Sequence, residues 1–289
     1  MQTHTVQAPD GRTLEVHEDG DPQGLPVVVH HGTPMSGLLS GPHVELAREQ
    51  GIRLLGLDRA GYGGSSRSPG RAVADCVQDV HAVADALSLE RFASWGISGG
   101  GPHVLACAAL CDSRLTAVAS LAAVAPYDAD DLDFLSGMGE ENHVEFGKAL
   151  VGEDELRPYV EEQAKNHTQT AEQLVAAMTT LLGDEDRAVL TGDLAAYLIA
   201  CDEHGFEPGV DGWIDDDIAF TRPWGFQLEA ISRPVLLLHG DDDRFVPPAH
   251  GRWLAARIPG AETRFTETDG HLTLLVRHMR EVNEWLLSH

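Results

Sequence analysis

Apolar and polar positions alternate from the start of the chain. Thr3–Ala8 and Thr13–His17 carry side chains of opposite character at a period of two, with Pro9-Asp10-Gly11 between them. That pattern predicts an antiparallel hairpin. The next apolar runs do not alternate. Pro26-Val27-Val28-Val29-His30, Ile52–Asp58, Arg91–Ile97, Leu115–Val124 and Pro234–Gly240 are short and rich in branched residues, as expected of strands covered on both faces. Ala261–Glu267 is a last strand candidate. Segments with apolar residues at helical spacing lie between them: 36–50, closed by Gly51, then Val73–Leu87, 99–111 and finally His271–Leu287. Strand and helix in alternation predict an α/β fold, a mostly parallel sheet flanked by helices. Ligands of such sheets bind at the carboxyl ends of the strands.

The rhythm changes near Pro126. Residues 132–200 hold helical patterns (Val144–Leu150, Glu155–Asn166, Ala171–Leu182, Ala188–Ile199) and no convincing strand, and 201–228 read as irregular. The division that follows is a discontinuous core, 1–126 and 229–289, with a helical cap insertion at 127–228.

With 289 residues, 43% of them hydrophobic, the chain can bury a sizeable core. Its net charge of −26 opposes nucleic acid and anionic membranes. No run is long enough to span a bilayer, and Met1-Gln2-Thr3-His4 is unlike a signal peptide, so a cytoplasmic protein is expected. Asp130-Asp131, Glu140-Glu141 and Asp215-Asp216-Asp217 read as solvated faces. Cys76, Cys107, Cys111 and Cys201 form no C-x-x-C pair and read as reduced, buried apolar residues. No cofactor and no metal site is expected. Nothing fixes the oligomeric state, monomer or dimer.

Candidate chemistry centres on Gly96-Ile97-Ser98-Gly99-Gly100. This is G-x-S-x-G between a strand and a helix, a nucleophile elbow. A serine on so sharp a turn needs tiny neighbours two residues either side, and Gly96 and Gly100 supply them. A serine hydroxyl also needs a base and a carboxylate to orient that base. Two later strand ends offer both: His239-Gly240-Asp241-Asp242-Asp243 and Asp269-Gly270-His271. The order Ser, Asp, His differs from those of the chymotrypsin and subtilisin types.

Four motifs in this order resemble the α/β-hydrolase superfamily: His31-Gly32-Thr33-Pro34, Asp58-Arg59-Ala60-Gly61-Tyr62-Gly63-Gly64-Ser65, the elbow, and Gly240-x-x-Asp243-x-x-Val246-Pro247 with Gly270-His271. The resemblance spans nearly the whole chain except the cap. It lies with the capped serine-hydrolase branch, the esterase, lactonase and haloperoxidase-like members, and implies a central sheet of about eight strands. Epoxide hydrolases and dehalogenases carry Asp at the elbow; Ser98 implies acyl chemistry instead. The resemblance implies Ser98 as nucleophile, His271 as general base and acid, and Asp243 as orienting carboxylate, ahead of Asp241 and Asp242. The backbone N–H groups of Thr33 and Gly99 would form the oxyanion hole, with a cis Thr33-Pro34 peptide.

His31 reads as fixing that loop, while His103, His239 and His278 take structural readings. The Asp58–Ser65 loop reads as scaffold rather than a nucleotide cradle, since the P-loop lysine is absent. Trp95, Phe134, Met138, Trp213, Trp224 and Phe226 are candidate pocket walls. The expected function is hydrolysis of small-molecule carboxylic esters or lactones through an acyl-enzyme. The alternatives are a cofactor-free haloperoxidase, perhydrolase or C–C bond hydrolase on the same triad and, from another class, a slow-turnover ligand receptor with a mobile cap. Aminopeptidase action would call for a glycine-rich oxyanion loop, which His31-Gly32-Thr33-Pro34 does not match.

Overall fold

A computed structural model of the chain describes residues 1–165 and 170–289. Its elements, in chain order, are β1 (Gln2–Gln7), β2 (Thr13–Gly20), β3 (Leu25–His30), α1 (Gly41–Gln50), β4 (Ile52–Leu57), α2 (Cys76–Ala86), β5 (Phe92–Ile97), α3 (Gly100–Leu110) and β6 (Leu115–Leu121). Six helices follow: α4 (Glu140–Val151), α5 (Glu153–Lys165), α6 (Ala171–Ala177), α7 (Asp184–Val189), α8 (Gly192–Gly205) and α9 (Asp211–Phe220). The chain closes with β7 (Val235–Gly240), α10 (Pro248–Ala255), β8 (Glu262–Thr266), α11 (Thr273–Arg277) and α12 (Met279–Leu287).

The eight strands form a single sheet in the order β1-β2-β4-β3-β5-β6-β7-β8. β1 and β2 form the antiparallel hairpin, β2 also pairs antiparallel with β4, and all remaining pairs are parallel. The β-branched runs end up covered on both sides. Val28 joins the core cluster that holds Val77, Val80 and Val83 of α2 and Val104 and Leu105 of α3. Val27 and Val29 join the opposite cluster, with Val44 and Ala47 of α1 and Val282, Trp285 and Leu286 of α12. The period-two pleat of a strand sends neighbours to opposite faces, so continuous apolar runs are what this double layer requires. The chain steps from β3 to β4 on one side and then across to β5 on the other. The crevice between β3 and β5 is therefore the switch point of the sheet, where ligands of such folds bind.

Several boundaries differ from the sequence-based expectation. The first helix begins at Gly41, not at residue 36. Gly37 packs its backbone against Gly56 and Leu57, and a Cβ there would lie 2.6 Å from the Leu57 carbonyl carbon. The segment 188–199 is split between α7 and α8, with Gly192 at φ 51°. The helix expected at 155–166 runs over Glu153–Lys165, and Asn166 lies outside the described residues. The last helix breaks at His278 into α11 and α12.

The largest difference is α9, which falls where irregular chain was expected. Its residues Gly212–Phe220 are all buried, the three aspartates included. A helix buried all round presents no polar face, so its sequence shows no amphipathic stripe. Asp215-Asp216-Asp217 is thus no solvated face, whereas Asp130 and Asp131 are exposed. Glu140 is exposed too, but Glu141 is half-buried and accepts a hydrogen bond from the Thr180 hydroxyl. All four cysteines are free and buried. No helix among the described residues is long and apolar enough to cross a membrane.

Candidate active site

Ser98 sits between β5 and α3 at φ 54°, a left-handed conformation that a side-chain-bearing residue adopts only under constraint. The turn is as tight as its glycines imply. A Cβ on Gly96 would strike the Gly100 carbonyl oxygen, and one on Gly100 would strike that of His30. The Ser98 N–H donates to Leu121 O (2.9 Å) and its carbonyl accepts from Gly101 N (2.9 Å), pinning the elbow from both sides.

The loop after β3 lies beside this serine. A Cβ at Gly32 would come 3.6 Å from Ser98 Cβ, and one at Gly99 would come 2.9 Å from Thr33 Cβ. The Thr33-Pro34 peptide is cis. Neither the Thr33 N–H nor the Gly99 N–H donates to a protein acceptor among the described residues.

Arg59 holds this loop. Its guanidinium donates to His31 O, to Gly32 O (3.2 Å) and to Thr33 Oγ1 (2.9 Å). His31 donates from Nδ1 to Gly32 O (2.7 Å) and accepts the Arg59 N–H on Nε2 (3.2 Å). Both contacts need a neutral ring. Burial first and the Arg59 charge second pull its pKa down to about 3.

Arg59 is in turn anchored by Asp216 of α9. Asp216 Oδ2 accepts from Arg59 Nη2 (2.6 Å), Thr33 Oγ1 (2.7 Å) and the Tyr62 hydroxyl (3.0 Å), while Oδ1 accepts from Arg71 Nη2 (2.6 Å). Burial would raise the pKa of this carboxyl. The Arg59 and Arg71 charges outweigh burial and hold it far below the carboxylate range.

On the other side of the serine, β7 and β8 deliver an Asp–His pair. His271 Nδ1 lies 2.7 Å from Asp243 Oδ2, and Asp243 Oδ1 accepts the N–H groups of Phe245 (2.9 Å) and Val246 (2.8 Å). Asp241 and Asp242 point elsewhere, toward Arg252 (2.8 Å) and Arg244 (3.4 Å). Burial pushes the His271 imidazolium down, but the charge and hydrogen bond of Asp243, with help from Asp186, outweigh it and the net shift is upward. Phe245 stacks on the His271 ring, centroids 4.6 Å apart.

The loop carrying His271 is held by Asp186 of α7. Its Oδ2 accepts the His271 N–H (2.7 Å) and its Oδ1 those of Leu272 (2.8 Å) and Thr273 (2.9 Å). Gly270 leaves room for this carboxylate, which a Cβ there would strike.

The remaining histidines take structural places. His103 Nδ1 donates to Gly99 O (2.7 Å), His239 Nε2 to Val246 O (2.7 Å), and His278 pairs with Asp269 (2.7 Å).

Ser98 and His271 open onto one cavity of about 240 Å³, whose walls include Thr33, Met35, Leu174, Met178, Leu198 and Phe245. Glu141, Asn142, Glu145, Gln163 and Asp202 add a polar side, and no lysine or arginine lines it among the described residues. Glu145 accepts from Trp213 Nε1 (3.0 Å). Burial raises the pKa of Glu145 and of Asp217, and hydrogen bonding between the two lets them hold a proton. Burial likewise pushes Asp202 up to about 7. Glu141 goes the other way: burial would raise its pKa, but its hydrogen bonds with Thr180 outweigh burial and lower it, so the wall keeps a charged carboxylate.

Of the six expected wall residues, only Trp213 lines the cavity. Trp95 is buried in the core on the α1/α12 face. Phe134, Met138 and Trp224 belong to the core on the α2/α3 face, and Phe226 packs against it. These apolar side chains fill the seams between helices and sheet, and the cavity is walled instead by α4, α5, α6 and α8. Arg59, Asp216, Asp186 and Phe245 were not singled out by the sequence reading. Phe245 follows Asp243 closely enough to have been found by position. The others act through partners far away in the chain, which no local pattern marks.

Removing Asp216 leaves the buried Arg59 guanidinium without a carboxylate and Arg71 with Asp215 alone (3.3 Å). Asp216→Ala should lower the free energy of unfolding by about 3–5 kcal/mol, read by urea titration. A loss below about 1 kcal/mol, the range of a surface pair, would contradict the arrangement.

A model of the alpha/beta hydrolase fold family matches residues 26–277. The chain is 27% identical over 248 residues to a non-heme chloroperoxidase of Streptomyces lividans, covering 85% of this chain and 84% of that protein. Among solved structures it is similar to a thermophilic esterase from Thermogutta terrifontis (TM-score 0.71, 21% identity, 100% and 99% of the two chains). It is also similar to the enol-lactonase from Burkholderia xenovorans LB400 (TM-score 0.69, 19% identity, 99% and 100%). The elbow, the eight-stranded sheet and the extent of the family match agree, and the chain belongs to the alpha/beta hydrolase fold family.

Proposed function

We propose that this protein is a serine hydrolase that cleaves carboxylic esters or lactones through an acyl-enzyme. The observation that carries the reading is the convergence on one cavity of Ser98 at its strained elbow and His271 hydrogen-bonded to buried Asp243, beside two N–H groups without protein acceptors. Ser98 Oγ attacks the carbonyl carbon and passes its proton to His271 Nε2. The Thr33 and Gly99 N–H groups receive the oxyanion, each worth about 3 kcal/mol in the transition state. The tetrahedral adduct collapses, and His271 returns the proton to the leaving alkoxide. A water then repeats the sequence from the acyl-enzyme, with His271 as base, and releases the acid. Asp243 fixes the ring tautomer and stabilises the imidazolium formed at each step.

In this reading the helices of 127–228 act as a cap that shapes the substrate pocket. The aliphatic wall suits an apolar acyl or alcohol group. The acidic side, with no cation facing it, disfavours substrates that carry a second carboxylate. A second reading, perhydrolysis, draws on the likeness to the chloroperoxidase of Streptomyces lividans. Hydrogen peroxide would replace water in deacylation and release a peracid.

Three outcomes check this reading. A fluorophosphonate should label Ser98 stoichiometrically and Ser98→Ala not at all. In turnover assays neutral esters should exceed the half-esters of dicarboxylic acids by at least about tenfold in kcat/KM. Intact, folded protein that leaves Ser98 unlabelled would sink the acyl-enzyme. The third outcome concerns pH. The base must be neutral, and its pKa is raised, so kcat/KM should fall on acidification with an apparent pKa above the ordinary value of about 6.5. Asp243→Asn should move that limb down and cut kcat by about 10³–10⁴. A wild-type limb at or below about 6.5 would contradict the assignment.

A further inference from the structure

Away from the cavity, four side chains from distant parts of the chain converge: Glu15 and His17 of β2, Asp58 at the end of β4, and His204 of α8. One potential donor atom from each lies within 4.8 Å of the other three. The separations fall in a narrow range. His204 Nε2 is 3.0 Å from Asp58 Oδ2 and 3.1 Å from Glu15 Oε1, and His17 Nε2 is 3.4 Å and 3.6 Å from the same two oxygens. An ion bound tetrahedrally at about 2.1 Å by each atom places its ligands about 3.4 Å apart.

Three further features point the same way. The charge is uncompensated by arginine or lysine. Among the described residues Glu15 and Asp58 form ion pairs with no side chains but these two imidazoles. Buried Asp216, by contrast, is set against two arginines. With both imidazoles deprotonated, as ligation requires, the two carboxylates balance the charge of a divalent cation.

The outer atoms of the donors are also oriented. His17 Nδ1 meets Thr3 Oγ1 (3.4 Å), His204 Nδ1 lies 3.5 Å from Glu207 Oε1, and Asp58 Oδ1 accepts the Gly37 N–H (2.6 Å). Such second contacts fix ring tautomer and angle at metal centres. Finally, Gly63 and Gly64 leave the cluster room. A Cβ at Gly63 would strike Asp58 Oδ2 and lie 2.6 Å from His204 Nε2, and one at Gly64 would lie 2.5 Å from the Glu15 carboxyl carbon. The glycines of the loop that reads as plain scaffold thus form one side of this pocket.

The geometry points to a structural divalent-metal site, with zinc as the ion that a tetrahedral set of two imidazoles and two carboxylates suits best. It departs from the metal-free expectation drawn from the sequence, because its four donors are scattered over some 190 residues with no ligand-spacing motif. It stands apart from Ser98 and His271 and does not depend on their proposed chemistry. Its role is a staple. The ion ties β2 and the end of β4 to α8, fixing the inserted helices against the sheet.

The test uses the full chain without a histidine tag, stripped with chelator and then titrated with Zn²⁺ by calorimetry, with metal analysis of the dialysed product. One zinc per chain should bind saturably, and at a hundredfold excess over Kd the Tm should rise by about 5 °C. Co²⁺ in its place should give the intense visible bands of a tetrahedral site. His204→Gln and His17→Gln should lose the bound ion and the Tm rise while keeping the far-ultraviolet spectrum of the parent. His271→Gln should keep both, which separates this site from adventitious binding at the hydrolytic centre. Absence of saturable binding by the wild-type chain, or zinc retained in full by His204→Gln, would overturn the proposal and leave the four residues as a hydrogen-bonded ion cluster.

Discussion

The buried pairing of Asp216 with Arg59 and Arg71 is the constraint on which the rest of the site depends. A carboxylate and two guanidinium groups taken out of water are costly, and that cost is offset only when nearly every polar atom finds a partner. Here the partners are also the parts that the proposed reaction needs. Arg59 grips the carbonyls of His31 and Gly32 and the hydroxyl of Thr33, and Asp216 takes the Thr33 hydroxyl directly. The Thr33 N–H finds no protein acceptor of its own among the described residues. A loop proposed to receive an oxyanion must hold its donors in place before charge develops, and this ion cluster fixes the carbonyls and the hydroxyl on either side of the Thr33 N–H.

The inserted helices therefore do more than cover the pocket. α9 supplies Asp216 to the loop after β3, and α7 supplies Asp186 to the loop that carries His271. Each arm of the candidate site is fastened by a buried carboxylate from the segment between β6 and β7. The same segment supplies most of the cavity wall. Substitutions in these helices therefore bear on the loops of the candidate site as well as on the cavity wall. Polar networks of this kind are worth more than their separate pairs, and partial disruption is correspondingly expensive.

The sequence made the core legible because its strands are covered on both faces. Val27-Val28-Val29 and Val235–Leu238 declare burial without reference to anything distant. The elbow was legible for the same local reason, since Gly96 and Gly100 are demanded by the turn itself. The inserted segment was not. Asp215-Asp216-Asp217 read as a solvated run because its compensating arginines lie some 150 residues earlier in the chain. The expected pocket walls fail for the opposite reason. Trp95, Phe134, Met138, Trp224 and Phe226 are core packing, and composition alone does not separate a pocket wall from a helix seam. The division of 36–50 failed at Gly37, whose backbone contact with Gly56 is tertiary and overrides helical spacing.

If Asp216 positions the loop after β3 for the proposed chemistry, two ligands should respond differently to Asp216→Asn at a temperature where the variant stays folded. One is a boronic acid that adds to Ser98 and places a negative oxygen among the Thr33 and Gly99 N–H groups. The other is the unreactive amide of the matching carboxylic acid. Boronate affinity should fall by about 10²-fold while amide affinity changes by less than about threefold. An equal loss for both ligands, or none for either, would contradict it.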